Sequence, residues 1–410
     1  MKILYNILTY VTDFHLKIIA KFNTKLHLGV EGRKNTIEIL KYNISTHDNV
    51  IWFHCASLGE YEQGIPVFEK IKSIYPNHKI VLSFFSPSGF EIRKKNSLTD
   101  IVVYLPLDTK HNAKTFLNLV HPDLVVFVKY EIWPNYLNEL NRRKIRTILI
   151  SALFRKDQAF FKFYGGMMRK SLKAFEHFFV QNKNSKKLLG SIGYTNITVS
   201  GDTRYDRVSI QLNIDNTLNF IERFKQNKLC IVAGSTWPED ERLLIDFINS
   251  ASEDLKFIIA PHNIKSNQIE SLKSSIQKNT ILFSEKEKLE VSNYQVFIID
   301  TIGILSKIYS YADIVFIGGA VGTTGLHNTL EPAVFGAPII IGKNHKNFPE
   351  AEEMIERGGM YSISNQKEFN YIMDSLISNT EKRVQSGKAN ASYISKNRGA
   401  VIQIIDYVRK

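Results

Sequence analysis

Val50-Ile-Trp-Phe-His-Cys-Ala-Ser-Leu-Gly-Glu60 decides the fold class. Val50 to Cys55 is apolar except for His54, the pattern of a strand covered on both faces. Gly59 lets the backbone turn tightly, and an amphipathic helix is predicted from about Tyr61 to Ile74. The same unit recurs downstream. Lys79 to Phe85 closes on Ser86-Pro-Ser-Gly89, and Ile101 to Tyr104, Leu124 to Val128, Thr147 to Ser151 and His177 to Val180 follow. Strands separated by helix-length segments predict βαβ units, a parallel sheet and helices on both faces.

A polar stretch, Asn213 to Lys228, precedes a second series: Leu229 to Ala233, Phe257 to Ala260, Thr280 to Phe283, Val296 to Ile299, Ile314 to Ile317 and Pro338 to Ile341. The expected organisation is an N-terminal helix in 1–30, Rossmann-like domains in 31–210 and 211–385, and a helix in 386–410 that crosses back to the first domain. Two cores also suit 410 residues better than one. Two doubly wound domains are expected to face a cleft at the carboxyl ends of their strands, where ligands bind.

With 53 basic against 40 acidic residues, the net charge of +13 favours nucleic acid, acidic lipid, a phosphorylated substrate or a solvated basic surface, without choosing among them. Cys55 and Cys230 lie in separate strand-like runs and read as buried free thiols of a reducing compartment. From Met1 to Ala20 the chain is apolar and aromatic, but Asp13, His15 and Lys17 interrupt it. A clean span needs about 20 apolar residues. An interfacial helix with Lys2, Lys17 and Lys21 near headgroups fits better, against the plainer option of a helix packed on the core.

Four stretches carry chemistry. Glu60, at the end of the first strong run, is placed to take a proton from a hydroxyl, or simply caps the next helix. The helix dipole alone would weaken it as a base, so catalysis would need desolvation. Lys129-Tyr-Glu-Ile-Trp-Pro134 puts Glu131 at another strand end with Trp133 as an apolar wall; an ion pair with Lys129 is the plainer option. Gly234-Ser-Thr-Trp-Pro-Glu-Asp-Glu241 offers the Ser235 and Thr236 hydroxyls at a helix start, where a phosphate can bind. Ile317-Gly-Gly-Ala-Val-Gly-Thr-Thr-Gly-Leu-His-Asn-Thr-Leu-Glu-Pro332 joins a glycine loop to a helix opened by His327-Asn328 and carrying Glu331. Gly318 and Gly319 bring backbone close to a nucleotide phosphate, and Glu331 can accept from ribose hydroxyls. No metal-ligand spacing and no nucleophile elbow is present, so direct transfer without metal or cofactor is expected.

These motifs, in this order and over nearly the whole chain, resemble the 3-deoxy-D-manno-octulosonate (Kdo) transferases. The matching stretches are His54-Cys-Ala-Ser-Leu-Gly-Glu60, Phe85-Ser-Pro-Ser-Gly89, Tyr104-Leu-Pro-Leu-Asp108, Glu131-Ile-Trp-Pro134, Gly201-Asp-Thr-Arg204, Ala233-Gly-Ser-Thr236, Gly318-Gly319 and His327 to Pro332. The resemblance implies a GT-B fold, CMP-Kdo as donor, a lipid A precursor as acceptor and an inverting, metal-independent reaction at the cytoplasmic face of the inner membrane. It makes Glu60 the general base and places Glu131 beside it. Ser57, Gly59, Ser86, Lys129 and Arg155 fall on the acceptor side. Ser235, Thr236, His262, Gly318, Gly319, His327, Asn328 and Glu331 fall on the donor side. Many family members carry Pro-Arg-His where this chain reads Ala260-Pro-His262, and Lys343, Lys346 and Arg204 are the candidates to replace the missing cation.

Phe160-Phe-Lys-Phe-Tyr-Gly-Gly-Met-Met-Arg-Lys170 reads as a second interfacial helix, with Arg155, Arg169 and Lys170 toward acceptor phosphates. The rival readings are a GT-B enzyme of a UDP-sugar and a basic nucleic-acid-binding protein. The second lacks any nucleic-acid-binding motif, so nucleic acid is not an expected partner.

Overall fold

Val50–Cys55 becomes a strand buried along its whole length, and the pattern set there governs both halves of the molecule. The computed structural model describes residues 2–95 and 97–410, the side chain of Lys2 excepted, so the headgroup role expected of Lys2 concerns a side chain outside those described. The chain divides into two units, residues 1–207 with 398–410 and residues 208–397.

Unit 1 holds β1 (Val50–Cys55), β2 (Lys79–Phe84), β3 (Ile101–Tyr104), β4 (Leu124–Val128), β5 (Arg146–Ala152), β6 (His177–Val180) and β7 (Ile197–Val199). They form one parallel sheet in the order β3-β2-β1-β4-β5-β6-β7. Alternate residues of β1 feed two cores. Val50 and Trp52 pack with Phe116 and Leu117 of the helix Lys110–Val120 and with Tyr136 and Leu137 of the helix Pro134–Arg143. Ile51, Phe53 and Cys55 pack with Val67, Phe68 and Ile71 of the helix Leu58–Ile74. Burial on both faces explains why the run shows no polar alternation.

The final helix, Ala400–Val408, joins that second core through Val401, Ile404, Ile405 and Val408. The chain turns into it at Gly399, whose φ of 112° suits glycine. The Asp206 carboxylate accepts from the Gly399 and Ala400 amides at 2.8 and 3.1 Å, satisfying the helix start. The preceding helix, Thr380–Asn397, stays with unit 2.

Unit 2 holds β8 (Leu229–Thr236), β9 (Leu255–Pro261), β10 (Thr280–Leu282), β11 (Val296–Ile298), β12 (Ile314–Ile317), β13 (Ile339–Gly342) and β14 (Met360–Ile363). They pair in parallel in the order β10-β11-β9-β8-β12-β13-β14.

Three local expectations change. The helix after β1 starts at Leu58 rather than Tyr61, because Ser57 already stands at its cap with extended backbone. The polar stretch 213–228 contains a helix, Asn219–Lys225, because Ile221 and Phe224 bury their side chains on its inner face. Phe160 to Lys170 is not one helix. A 3₁₀ turn, Ala159–Phe161, anchored by buried Phe160, gives way to a short helix, Gly166–Ser171. Arg169 Nη1 braces that corner by donating to the Phe160 and Lys162 carbonyls at 3.0 and 2.8 Å, so its guanidinium is engaged internally. Phe163, 95% exposed, projects from the turn.

The N-terminal helix, Lys2–Ile19, keeps much of its apolar surface in solvent, with Ile3 77% exposed and Phe22, just beyond its end, 86% exposed. The Tyr5 hydroxyl fastens it to unit 1 by donating to Asp108 Oδ2 at 2.6 Å. Among the described residues no helix is long and apolar enough to cross a membrane.

Candidate active site

In a doubly wound sheet the ligand crevice lies where the strand order reverses. In unit 1 the chain runs outward from β1 to β3 and then returns to β4 on the other side of β1, so that point falls between β1 and β4. Glu60 follows β1 and Glu131 follows β4. Two carboxylates distant in sequence are thereby placed at the same edge.

Glu60 stands in the first turn of the helix Leu58–Ile74. Its Oε2 accepts from the Ala56 amide at 2.5 Å and the Ser57 amide at 3.2 Å. Burial and the negative charge of Glu131 push its pKa up to about 7, against the lowering effect of those amides and of Lys129. The capping carboxylate is therefore also one that takes up a proton near neutral pH, and the desolvation that the sequence seemed to require from substrates is already supplied by the fold. Gly59 takes no left-handed conformation and leaves open space where a Cβ would stand, with Ser57 Oγ at 4.0 Å. It keeps the surface beside Glu60 bare instead of making a tight turn.

Glu131 is buried at the end of a chain of hydrogen bonds that the sequence did not reveal. Trp52 Nε1 donates to Ser83 Oγ at 2.7 Å, and Ser83 Oγ lies 2.8 Å from His54 Nδ1. His54 Nδ1 also faces the Ser83 carbonyl at 3.2 Å, and His54 Nε2 lies 2.9 Å from Glu131 Oε2. Trp133 Nε1 donates to the same oxygen at 2.8 Å. Trp133, expected as an apolar wall, thus also orients the carboxylate, while its ring packs on Phe85 at 4.6 Å. Because the Glu131 charge raises the proton affinity of Glu60, Glu131→Gln should move the Glu60 titration to lower pH. Carboxyl-carbon NMR reads this directly, and an unmoved titration would remove the electrostatic link.

Ser86 donates its amide to the Ala56 carbonyl at 2.7 Å and caps the helix Pro87–Arg93, so β2 contributes to the same edge. Lys129 has a φ of 65°, and its ammonium lies 5.1 Å from the Tyr130 ring centroid. The Arg155 guanidinium lies 5.3 Å from the same centroid. Tyr130 therefore gathers two cations near the carboxylates. Arg204 is bonded to Asp202 at 2.9 Å and belongs to unit 1.

Unit 2 repeats the logic between β8 and β12. Gly318 donates its amide to the Gly234 carbonyl at 3.0 Å, and Gly319, at a φ of 95°, donates to Asp240 Oδ2 at 2.8 Å. The same Asp240 oxygen accepts from the Trp237 amide at 2.9 Å, tying the start of the helix Pro238–Ser250 to the glycine loop. That helix start is occupied by the protein's own acids: Glu239, Asp240 and Glu241 lie in its first turn, and the Thr236 hydroxyl donates to Glu241 at 3.0 Å. Ser235 sits at a φ of 54° beside it.

Three rings stack at this edge. His262 lies 4.7 Å from Trp237 and 4.5 Å from His327, at interplanar angles of 21° and 28°. Trp237 Nε1 donates to His327 Nε2 at 2.9 Å, leaving the His327 hydrogen on Nδ1. Burial, with a smaller contribution from His262, lowers the His327 pKa to about 4, so its ring is neutral near pH 7. The helix after the glycine loop begins at Leu330 rather than at His327-Asn328, because Asn328 Oδ1 accepts the Leu330 amide at 3.1 Å in a local turn. Asn328 Nδ2 donates to Glu331 Oε1 at 2.9 Å. Lys343 and Lys346 flank Asn344, whose side chain donates to the Gly322 carbonyl at 2.6 Å, which holds their segment to the loop.

Sequence reasoning missed His54 as a partner of Glu131, and it missed Trp237 and Asp240. His54 left one signal, a polar residue in an otherwise apolar strand. Trp237 and Asp240 left none, because they read as ordinary helix-start residues.

Residues 31–207 match the family model of 3-deoxy-D-manno-octulosonic-acid transferase (kdotransferase). The 3-deoxy-D-manno-octulosonic acid transferase of Haemophilus influenzae is 28% identical over 378 residues, covering 88% of this chain and 86% of that protein. That of Rickettsia bellii is 25% identical over 400 residues, 94% of each. A bifunctional glycosyltransferase/methyltransferase of Fusobacterium nucleatum is 26% identical over 372 residues; the match takes in 87% of this chain and spans 57% of that longer protein. Among solved structures, UDP-GlcNAc 2-epimerase from Neisseria meningitidis aligns with a TM-score of 0.62 at 14% identity, over 88% of this chain and all of that one. Acinetobacter baumannii MurG aligns at 0.53 and 11% identity, over 88% and 99%. The two parallel sheets are those of the GT-B fold.

Proposed function

The chain belongs to the 3-deoxy-D-manno-octulosonic-acid transferase family, and from that premise we propose that it transfers Kdo from CMP-Kdo to a sugar hydroxyl of a lipid A precursor, with inversion. One observation carries the reading: Glu60 lies at the unit 1 switch point with its pKa raised to about 7, beside the oriented Glu131. A base serves best when its pKa is near the working pH. The acceptor hydroxyl gives its proton to Glu60 as its oxygen bonds to the anomeric carbon. The bond from that carbon to the CMP phosphate oxygen breaks, and the electron pair leaves with CMP. Glu131, held by His54 and Trp133, keeps the proton affinity of Glu60 high.

Ser57, Gly59, Ser86, Lys129 and Arg155 form the acceptor side, where the two cations on Tyr130 complement acceptor phosphates. Ser235, Thr236, His262, Gly318, Gly319, His327, Asn328 and Glu331 form the donor side. The stacked His262 and His327 suit a nucleotide base, while Asn328 and Glu331 suit ribose hydroxyls. No metal ion is needed in this scheme.

Purified protein given CMP-Kdo and tetraacylated lipid A precursor should add the mass of Kdo, read by mass spectrometry, at a rate unchanged by EDTA. CMP should raise the melting temperature more than UDP does. Folded, CMP-binding protein that adds nothing would sink the proposal, and selective protection by UDP would favour a UDP-sugar enzyme.

The exposed apolar side of the N-terminal helix supports residence on the cytoplasmic surface of the inner membrane. Removing residues 1–20 should reduce sedimentation with anionic liposomes at least tenfold. Undiminished sedimentation would assign membrane contact elsewhere, with the Phe163 turn as the next candidate.

A further inference from the structure

The transfer chemistry leaves one cavity of unit 1 unused. It encloses about 290 Å³ between the helix Lys2–Ile19 and the strand ends, lined by Tyr5, Leu8, Leu16, Phe85, Leu107 and Trp133. This lies at the small end of organic-ligand pockets. Its lining is mainly apolar, with Thr9, Thr12 and Asp108 as the polar part. Thr9 Oγ1 donates to the Asn6 carbonyl at 2.8 Å. Asp108, also on the wall, accepts from the Tyr5 hydroxyl at 2.6 Å and from the Asn135 and Tyr136 amides at 3.0 Å each. The cavity therefore calls for an uncharged, apolar occupant.

Two features say which one. Trp133 and Phe85 line the cavity, and Trp133 Nε1 bonds Glu131 at 2.8 Å, so one ring is both a wall of the cavity and a support of the candidate catalytic edge. The helix that forms its other wall carries the exposed apolar residues Ile3, Leu4, Ile7, Val11 and Phe14. A molecule reaching from that apolar surface to the carboxylates must be apolar along its length and carry a hydroxyl at its head.

We propose that the cavity receives one fatty-acyl chain of the acceptor lipid and thereby positions the sugar hydroxyl at Glu60; this rests on the transferase reading. Each buried methylene is worth about fourfold in affinity. Four methylenes in the cavity would then favour an acylated acceptor by roughly two-hundredfold.

The full chain tests this through the ratio of kcat/KM for the tetraacylated precursor to that for its fully deacylated form, a ratio independent of how much enzyme is active. Wild type should favour the acylated acceptor by about a hundredfold or more. Thr9→Phe, which fills the cavity, should reduce that ratio at least tenfold; an unchanged ratio would overturn the acyl site while leaving the transferase reading intact. A second readout needs no turnover. An N-acyl glucosamine with a brominated chain should quench the wild-type fluorescence that is missing in Trp133→Phe, and Thr9→Phe should abolish this quenching. Quenching that fails in wild type, or that a brominated phospholipid produces as well, would overturn a site for the acceptor chain. Quenching as expected without Kdo transfer would keep the acyl site and overturn the transferase reading.

Discussion

Glu60→Gln is expected to lower kcat for Kdo transfer by about 10²- to 10⁴-fold, the usual contribution of a positioned general base. The substituted amide keeps an oxygen that can accept from the Ala56 and Ser57 amides, so the helix cap survives and the chain stays folded. CMP binding, assigned to unit 2, should change less than twofold. The pH dependence gives the mechanism a second test. Burial and Glu131 hold the proton on Glu60 up to about pH 7, so the wild-type rate should fall as the pH drops through that value. The residual rate of Glu60→Gln should lack this limb. A wild-type limb at ordinary carboxylate pH, or near-full activity in Glu60→Gln, would remove Glu60 as the base.

Gly318→Ala should damage both the stability of unit 2 and its proposed donor side. An added Cβ would press on the Ser235 carbonyl oxygen, and would lie 2.7 Å from Asp240 Oδ2 and 2.8 Å from Thr236 Cα. None of these neighbours can withdraw freely. Gly318 is bonded to Gly234, and Asp240 is held by the Trp237 and Gly319 amides. Overpacking against fixed groups costs about 3 kcal/mol. For a unit of this size that corresponds to a fall of about 6–12 °C in melting temperature. The substitution should also weaken CMP binding by at least tenfold, since the displaced loop carries His327. Calorimetry and CMP titration check both, and wild-type values for both would show that the loop has room the geometry denies it.

The order of elements was legible because burial writes itself into composition. Strands covered on both faces must be apolar throughout, as Val50–Cys55 and Ile314–Ile317 are, and parallel strands need helix-length returns between them. The failures share a cause. Phe160 to Lys170 had the composition of an amphipathic helix, yet the chain folds back at Gly165 so closely that a Cβ there would collide with the Ala159 carbonyl. The Asn219–Lys225 helix hid in a polar stretch because two inward side chains sufficed to hold it. His327-Asn328 seemed to open a helix that a local Asn328 turn delays to Leu330.

At the site, the sequence by itself determined which groups are available: carboxylates and glycines that follow apolar runs, hence lie at strand ends. It also determined the motif order through which the family is recognised. Tertiary structure alone decided what those groups can do. The reversal of strand order between β1 and β4 brings the charge of Glu131 to bear on Glu60, and burial reverses the sign of the pKa shift that the helix dipole alone would give. The Trp52–Ser83–His54 chain reaches Glu131 from two neighbouring strands, and the Trp237–His262–His327 stack assembles from three separate loops. Such arrangements depend on which strands are neighbours, a long-range property that local patterning does not encode.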